Sequence, residues 1–199
     1  MTITFRPCNP SLAQPRTNQK THNMIAPEAD ASRVRLATPG DEEQLFAMSK
    51  ELHKENALRD PLGERVTFEE AKVRRTLHRA LYPKQGNDGT YAGHQYPAWI
   101  GVVGPKGSIE GSVYLAIETP WYSNHLILVQ LWCFVLPSFR ASTNLKDMVA
   151  FSRQFSDTAN VRPLVASVDS AGSEAAKCRQ YRRQMGEPVA ATYVYEGAL

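Results

Sequence analysis

Apolar residues along this chain follow two different periods, and the change from one to the other falls near residue 137. Leu126 to Leu136 is almost unbroken apolar sequence, rich in β-branched and aromatic residues and closed by Pro137. That pattern predicts a strand covered on both faces. Beyond it, Leu145, Met148, Val149, Ser152 and Phe155 fall on one helical stripe, while Lys146, Asp147, Arg153 and Gln154 face elsewhere. Between strand and helix lies Ser138-Phe139-Arg140-Ala141-Ser142-Thr143-Asn144, a basic turn of small residues with three candidate N-caps. A buried strand that feeds a helix N-terminus presents unpaired backbone N–H groups beside an arginine. Such a setting suits a phosphate.

The same reading extends to the rest of the chain. Val34-Arg35-Leu36-Ala37 alternates and predicts a short strand. Thr38-Pro39-Gly40-Asp41 opens a helix, with Pro at its first position and acids in its first turn; Leu45, Met48, Leu52 and Glu55 carry it to about Asn56. Asp60-Pro61-Leu62-Gly63 breaks the chain. Thr67-Phe68-Glu69-Glu70 then reads as a capping box for a second helix. Its inward face is Phe68, Ala71, Leu77, Ala80 and Leu81, and its outer face carries Lys72, Arg74, Arg75 and Arg79. Pro83 to Pro97 is a turn-rich loop, followed by two β-rich runs, Ala98 to Val103 and Ile109 to Ile117, joined as a hairpin by Gly104-Pro105-Lys106-Gly107. Glu118 to Asn124 is a turn before the apolar strand. Val161 to Val168 predicts a further strand, Ser173 to Met185 a helix, and Val189 to Tyr195 a last alternating strand.

The order is therefore strand, helix, helix, three strands, helix, strand, helix, strand. A meander in the middle implies antiparallel pairing. The strand–helix–strand unit from Leu126 to Val168 predicts a parallel, right-handed crossover.

Composition narrows the function classes. The chain has 199 residues, 42% hydrophobic and 22% charged, which suits one globular domain. A net charge of +3 admits an anionic ligand but does not indicate nucleic acid, whose binders usually show a clustered basic face. No apolar run approaches the ~18 residues of a membrane span. Cys8, Cys133 and Cys178 are odd in number, scattered and without metal-ligand spacing, so reduced thiols in a cytoplasmic protein and no metal are expected. Residues 1–32 lack an apolar period and read as a flexible arm, to which a second copy or a larger complex would dock; residues 33–199 form the domain.

In this order of elements the chain resembles the GNAT superfamily of acyl-CoA-dependent N-acyltransferases. Val135-Leu136-Pro137-Ser138-Phe139-Arg140 is similar to the family's Val-x-Pro-x-aromatic-Arg approach to its pyrophosphate loop, and the Ala176 to Gly186 segment is similar to its Ala-…-Tyr-…-Gly segment. The resemblance implies an α/β (α+β) fold: a mixed, mostly antiparallel central sheet with a parallel pair at the cofactor cleft, flanked by helices. It implies acetyl-CoA as co-substrate, with the backbone of Cys133, Phe134 and Val135 pairing with pantetheine and Arg140, Ala141, Ser142, Thr143, Asn144 and Leu145 around the pyrophosphate. Thr143 and Leu145 stand where the family has glycines, and glycine permits the closest approach of a phosphate. Tyr181 matches the tyrosine that in the family often protonates the departing thiolate. For the base, Glu118 and His125 are the candidates, acting on an amine directly or through water. Tyr91, His94, Trp121 and Tyr122 are candidates to line a pocket for a small-molecule or protein amine. The implied activity is direct acetyl transfer to that amine. The other expectation, prompted by the lost glycines and the unusual leader, is a non-catalytic assembly module that uses the fold and the arm. The Lys72 to Arg79 face leaves an acyltransferase acting on nucleic acid as a weaker third option.

Overall fold

Alternation along the strands puts apolar side chains on both faces of one sheet, and helices cover each face. The computed structural model describes residues 33–59, 67–82, 96–161, 164–166 and 174–186. In chain order they form β1 (Val34–Leu36), α1 (Glu42–Arg59), α2 (Glu70–Leu81), β2 (Ala98–Val103), β3 (Gly111–Glu118), β4 (Ile127–Val135), α3 (Asn144–Ala159), β5 (Leu164–Ala166) and α4 (Glu174–Met185). The sheet runs β1-β2-β3-β4-β5. Its first four strands pair antiparallel, and β5 joins β4 in parallel through Leu128↔Leu164 to Gln130↔Ala166. The arm at 1–32, Tyr91 and His94, and the strand expected at Val189 to Tyr195 lie outside the described residues.

One face of the sheet packs on α3, where Val113, Leu115, Ile117 and Leu128 meet Met148, Phe151 and Phe155. The other packs on α1 and α2, where Ile100, Val102, Tyr114 and Phe134 meet Leu45 and Leu77. Gly101 on β2 allows α3 to sit close. A Cβ there would lie 2.7 Å from Phe151 Cε1 and 2.9 Å from Val34 Cγ1.

Capping falls at a different helix from the one the sequence predicts. Ahead of α1 the chain makes a short 3-10 turn over Pro39–Asp41. Asp41 accepts the Thr38 backbone N–H at 2.8 Å and the Thr38 hydroxyl at 2.9 Å, and Arg35 holds both its oxygens at 2.8 Å. At α2 the Thr67-Phe68-Glu69-Glu70 box is not made: the helix begins at Glu70, and Glu69 in the cap position gives no side-chain cap. With that start, Ala71 turns outward and Val73 takes the inward place ahead of Leu77, Ala80 and Leu81.

The apolar strand also differs from expectation. β4 is not covered throughout, because Leu131 is 42% exposed. The ladder skips it: Tyr114 faces Trp132 while Leu115 faces Gln130. Leu131 is a β-bulge, the extra residue that bends a strand and interrupts pairing.

Two stability measurements follow. Gly101→Ala is expected to lose about 1–3 kcal/mol in urea unfolding, because the added methyl overpacks against Phe151 and Val34. The Arg35 guanidinium holds the Asp41 carboxyl down at about 2 despite its burial. A depressed carboxylate stabilises the fold above its unfolded value near ~3.9, and this contribution is lost as pH falls through the folded value. Asp41→Asn should therefore cost on the order of 2 kcal/mol at neutral pH and flatten the stability profile below about pH 4.

Candidate functional site

The bulge divides β4 into two halves with different neighbours. Up to Gln130 it pairs with β5 on its outer edge. Beyond the bulge, what meets that edge among the described residues is side chains. The Leu136 N–H bonds the Glu110 carbonyl on the β3 side at 2.9 Å. Across a trans peptide the Val135 carbonyl must point the other way. Arg140 Nε donates to it there at 3.2 Å, and two residues back Lys177 Nζ donates to the Cys133 carbonyl at 2.9 Å. In extended backbone the N–H and C=O of one residue share an edge. The Cys133 and Val135 N–H groups therefore face this same open edge.

Residues one helical turn apart on α4 share a face, which brings Lys177 and Tyr181 together over that edge. The Tyr181 oxygen accepts from Gln130 Nε2 at 2.6 Å, and Ser152 Oγ approaches Gln130 Oε1 at 3.5 Å. Gln130 is 2% exposed, an amide inside the core whose polar atoms meet α3 and α4. Since Gln130 supplies the hydrogen in its bond, the phenol keeps its own hydrogen for donation, with the Cys133 sulfur nearby. Burial drives the Tyr181 phenol far above its ordinary range, and the sulfur beside it adds to that. Burial also pushes the Cys133 thiol up, with the Lys177 ammonium pulling it part of the way back. Under these groups lies a cavity of about 60 Å³ lined by Leu131, Trp132, Cys133, Lys177 and Tyr181. It shares Leu52, Asn56 and Trp132 with a groove of about 350 Å³ between α1 and α2.

The turn into α3 is held by side chains. The Ser142 hydroxyl donates to the Phe139 carbonyl at 2.6 Å and accepts the Asn144 N–H at 3.1 Å. The Thr143 hydroxyl donates to Asp147 and accepts from Arg33, both at 2.9 Å. Asn144 is fully buried and donates to Glu110 at 2.9 Å. Leu145 packs on the α3-side core. The N–H groups of Ala141, Thr143, Leu145 and Lys146 have no hydrogen bond among the described residues. The Arg140 guanidinium is turned back toward the protein: it pairs with Glu55 of α1 and lies 5.7 Å from the Phe134 ring.

The remaining residues named from the sequence are more scattered. The Phe134 and Val135 side chains belong to the two core faces, leaving only their backbone for a site. Glu118 is half-buried at the end of β3, and His125 is exposed in the following turn. Trp121 and Tyr122 are exposed in that turn, with their rings edge to face. None of these four lines either cavity. Sequence reading missed Gln130, Lys177 and Asn56. The signals for the first two were a single amide in an apolar strand and a lysine four residues before Tyr181.

No protein-family model and no curated protein matches the sequence. Solved structures do. An integron cassette protein from the mobile metagenome of Cole Harbour Salt Marsh aligns with a TM-score of 0.57 at 15% identity, over 84% of this chain and 91% of its own. A ribosomal-protein-alanine N-acetyltransferase from Brucella melitensis biovar Abortus 2308 aligns at 0.56 and 10%, over 82% and 97%. AAC(6')-Iy in complex with the bisubstrate analog CoA-S-monomethyl-acetylneamine aligns at 0.52 and 14%, over 83% and 97%. At such identities the likeness is one of fold. No helix among the described residues is long and apolar enough to cross a membrane.

Thiol chemistry reads the site independently of any ligand. With its pKa raised by burial, Cys133 is expected to react with iodoacetamide at least about tenfold more slowly than half-exposed Cys178 near neutral pH. Peptide mapping of the alkylated chain measures both rates.

Proposed function

From the GNAT fold of this chain, we propose that the protein is an acyl-CoA-dependent N-acyltransferase that moves an acetyl group onto an amine. The observation that carries this reading is the open edge of β4, which runs past Cys133 and Val135 and ends in the small cavity beneath Tyr181. CoA would supply the thioester. The N–H groups of Cys133 and Val135 suit the amides of a pantetheine arm. The free N–H groups from Ala141 to Lys146 suit a diphosphate, with the helix dipole of α3 favouring its charge. Thr143 and Leu145 are compatible with it, since the Thr143 hydroxyl is tied to Asp147 and Arg33 and Leu145 packs on the core.

The reaction itself asks three things of the chain. The carbonyl needs polarising as the amine attacks, and backbone N–H groups at the bulge are suited to that. The carbon–sulfur bond breaks, and the departing sulfur needs a donor. Tyr181 stays protonated because burial has raised it, so it acts first as a hydrogen-bond donor to the growing negative charge. This departs from an ordinary phenol with a pKa near ~10, which would hand over its proton more readily. The amine must also lose a proton; Glu118 and His125, lining neither cavity, would act through water.

A second reading has one observation in its favour. Glu55 already occupies the Arg140 guanidinium and Lys177 the Cys133 carbonyl, groups that a bound CoA would meet. A fold kept for assembly, with the arm at 1–32 as its docking element, is consistent with that. Titration calorimetry with acetyl-CoA separates the two: saturable heat supports the enzyme, and its absence at high excess leaves the assembly module. In turnover, Tyr181→Phe is expected to lower kcat roughly 10- to 100-fold, the value of one hydrogen bond to a charged group. The Kd for acetyl-CoA should stay within about twofold. Unchanged kcat would remove Tyr181 from the mechanism.

A further inference from the structure

We propose that the groove between α1 and α2 is the acceptor site and selects a singly charged amine on an aromatic or branched apolar body, against polycationic or polyhydroxylated amines. The inference rests on the reading of the neighbouring cavity as the place of acyl transfer. At about 350 Å³ the groove is of ordinary ligand size. It joins the cavity at Leu52, Asn56 and Trp132, so a body seated in it presents its amine at the Trp132 end.

The walls are apolar and already fixed. Leu52, Phe68, Val73 and Trp132 are all partly buried against the core. The Trp132 indole N–H donates to Ser112 at 3.0 Å, and its ring rests on Tyr114 with centroids 4.7 Å apart. Phe68 is held at 5.9 Å from Phe46 and 5.3 Å from His53. Rigid aromatic walls lose little freedom when a ring packs on them.

Polar side chains, Asn56 and Thr67 among them, also reach the groove, but two of their hydroxyls are already engaged and the charges are few. Ser49 and Thr76 donate their hydroxyl hydrogens to their own helices, at 2.8 Å to Leu45 and 3.0 Å to Lys72. The charged residues among the described lining, His53 aside, are one carboxylate, Glu69, and one ammonium, Lys72, of opposite sign. The described lining residues give a polycation no matching field. A polyol would leave hydroxyls unpaired against Leu52, Phe68 and Val73.

The test uses the full chain with 2-phenylethylamine, spermidine and kanamycin as probes. With acetyl-CoA, kcat/KM for 2-phenylethylamine should exceed that of the other two at least about 50-fold. Equal or better turnover of either polycation overturns the inference. Independently of catalysis, 2-phenylethylamine should shift the Trp132 indole N–H resonance, assigned with Trp132→Phe, and spermidine should not. No shift at millimolar probe also overturns it. Val73→Arg, which fills the groove, should raise KM for 2-phenylethylamine at least about tenfold with the acetyl-CoA Kd unchanged. If that variant fails to fold, Phe68→Ala replaces it, with the same rise in KM expected; an unchanged KM in a folded variant counts against the groove. Loss of acetyl-CoA binding in the wild type would sink the transferase reading alone, since the Trp132 titration still reports on the groove.

Discussion

β4 carries one residue more than β3 can pair, and the place of that residue decides where the site lies. Leu131 drops out of the ladder between Tyr114–Trp132 and Leu115–Gln130. Before it, β4 is paired on both edges and behaves as an interior strand. After it, among the described residues, the outward carbonyls of Cys133 and Val135 meet a lysine and an arginine. A continued parallel partner would have taken both the N–H and the C=O of those residues. Side-chain cations take only the carbonyls, so among the described residues the amide hydrogens keep their capacity to donate. The bulge also reorients Trp132 onto the α1–α2 face while Cys133 stays on the other. The groove and the small cavity thereby meet at Trp132, with Leu52 and Asn56 of α1 lining both.

The buried amide of Gln130 is the second constraint. An unpaired amide in that position would cost about 1–3 kcal/mol. Its Nε2 is satisfied because α4 brings the Tyr181 oxygen to it, while Ser152 of α3, whose hydroxyl hydrogen goes to the Met148 carbonyl at 3.0 Å, lies 3.5 Å from its Oε1. The same bond determines the chemistry of Tyr181. Accepting from Gln130 leaves the phenol hydrogen free to donate, and burial, with the Cys133 sulfur nearby, keeps the phenol protonated.

The turn into α3 shows a different solution to a familiar geometric demand. Glycine lets a backbone approach an anion because it has no side chain. Here side chains are present but directed elsewhere: Leu145 into the core, Thr143 onto Asp147, Ser142 onto its own turn. The backbone hydrogens are left exposed by orientation rather than by the absence of atoms. Arg140, paired with Glu55, ties α1 to this turn.

Periodicity alone was enough to place β2, β3, β4 and α3, because long apolar runs at period two or 3.6 have few ways to be buried. The Pro137 to Arg140 motif pointed to the turn for the same reason: its chemistry is local. The start of the first helix at Thr38 was legible, but the hold of Arg35, six residues upstream on another element, on Asp41 and the missing box at Thr67 were not. The bulge at Leu131 depends on the register of β3, which no residue of β4 announces. The meeting of Gln130 with Tyr181, and the groove with its Trp132 wall, join residues from separate elements. Local spacing therefore determined which helices and strands form. Only tertiary packing decided which of their polar groups would meet, because those contacts depend on how elements are positioned and rotated against one another, and that is settled by the core as a whole.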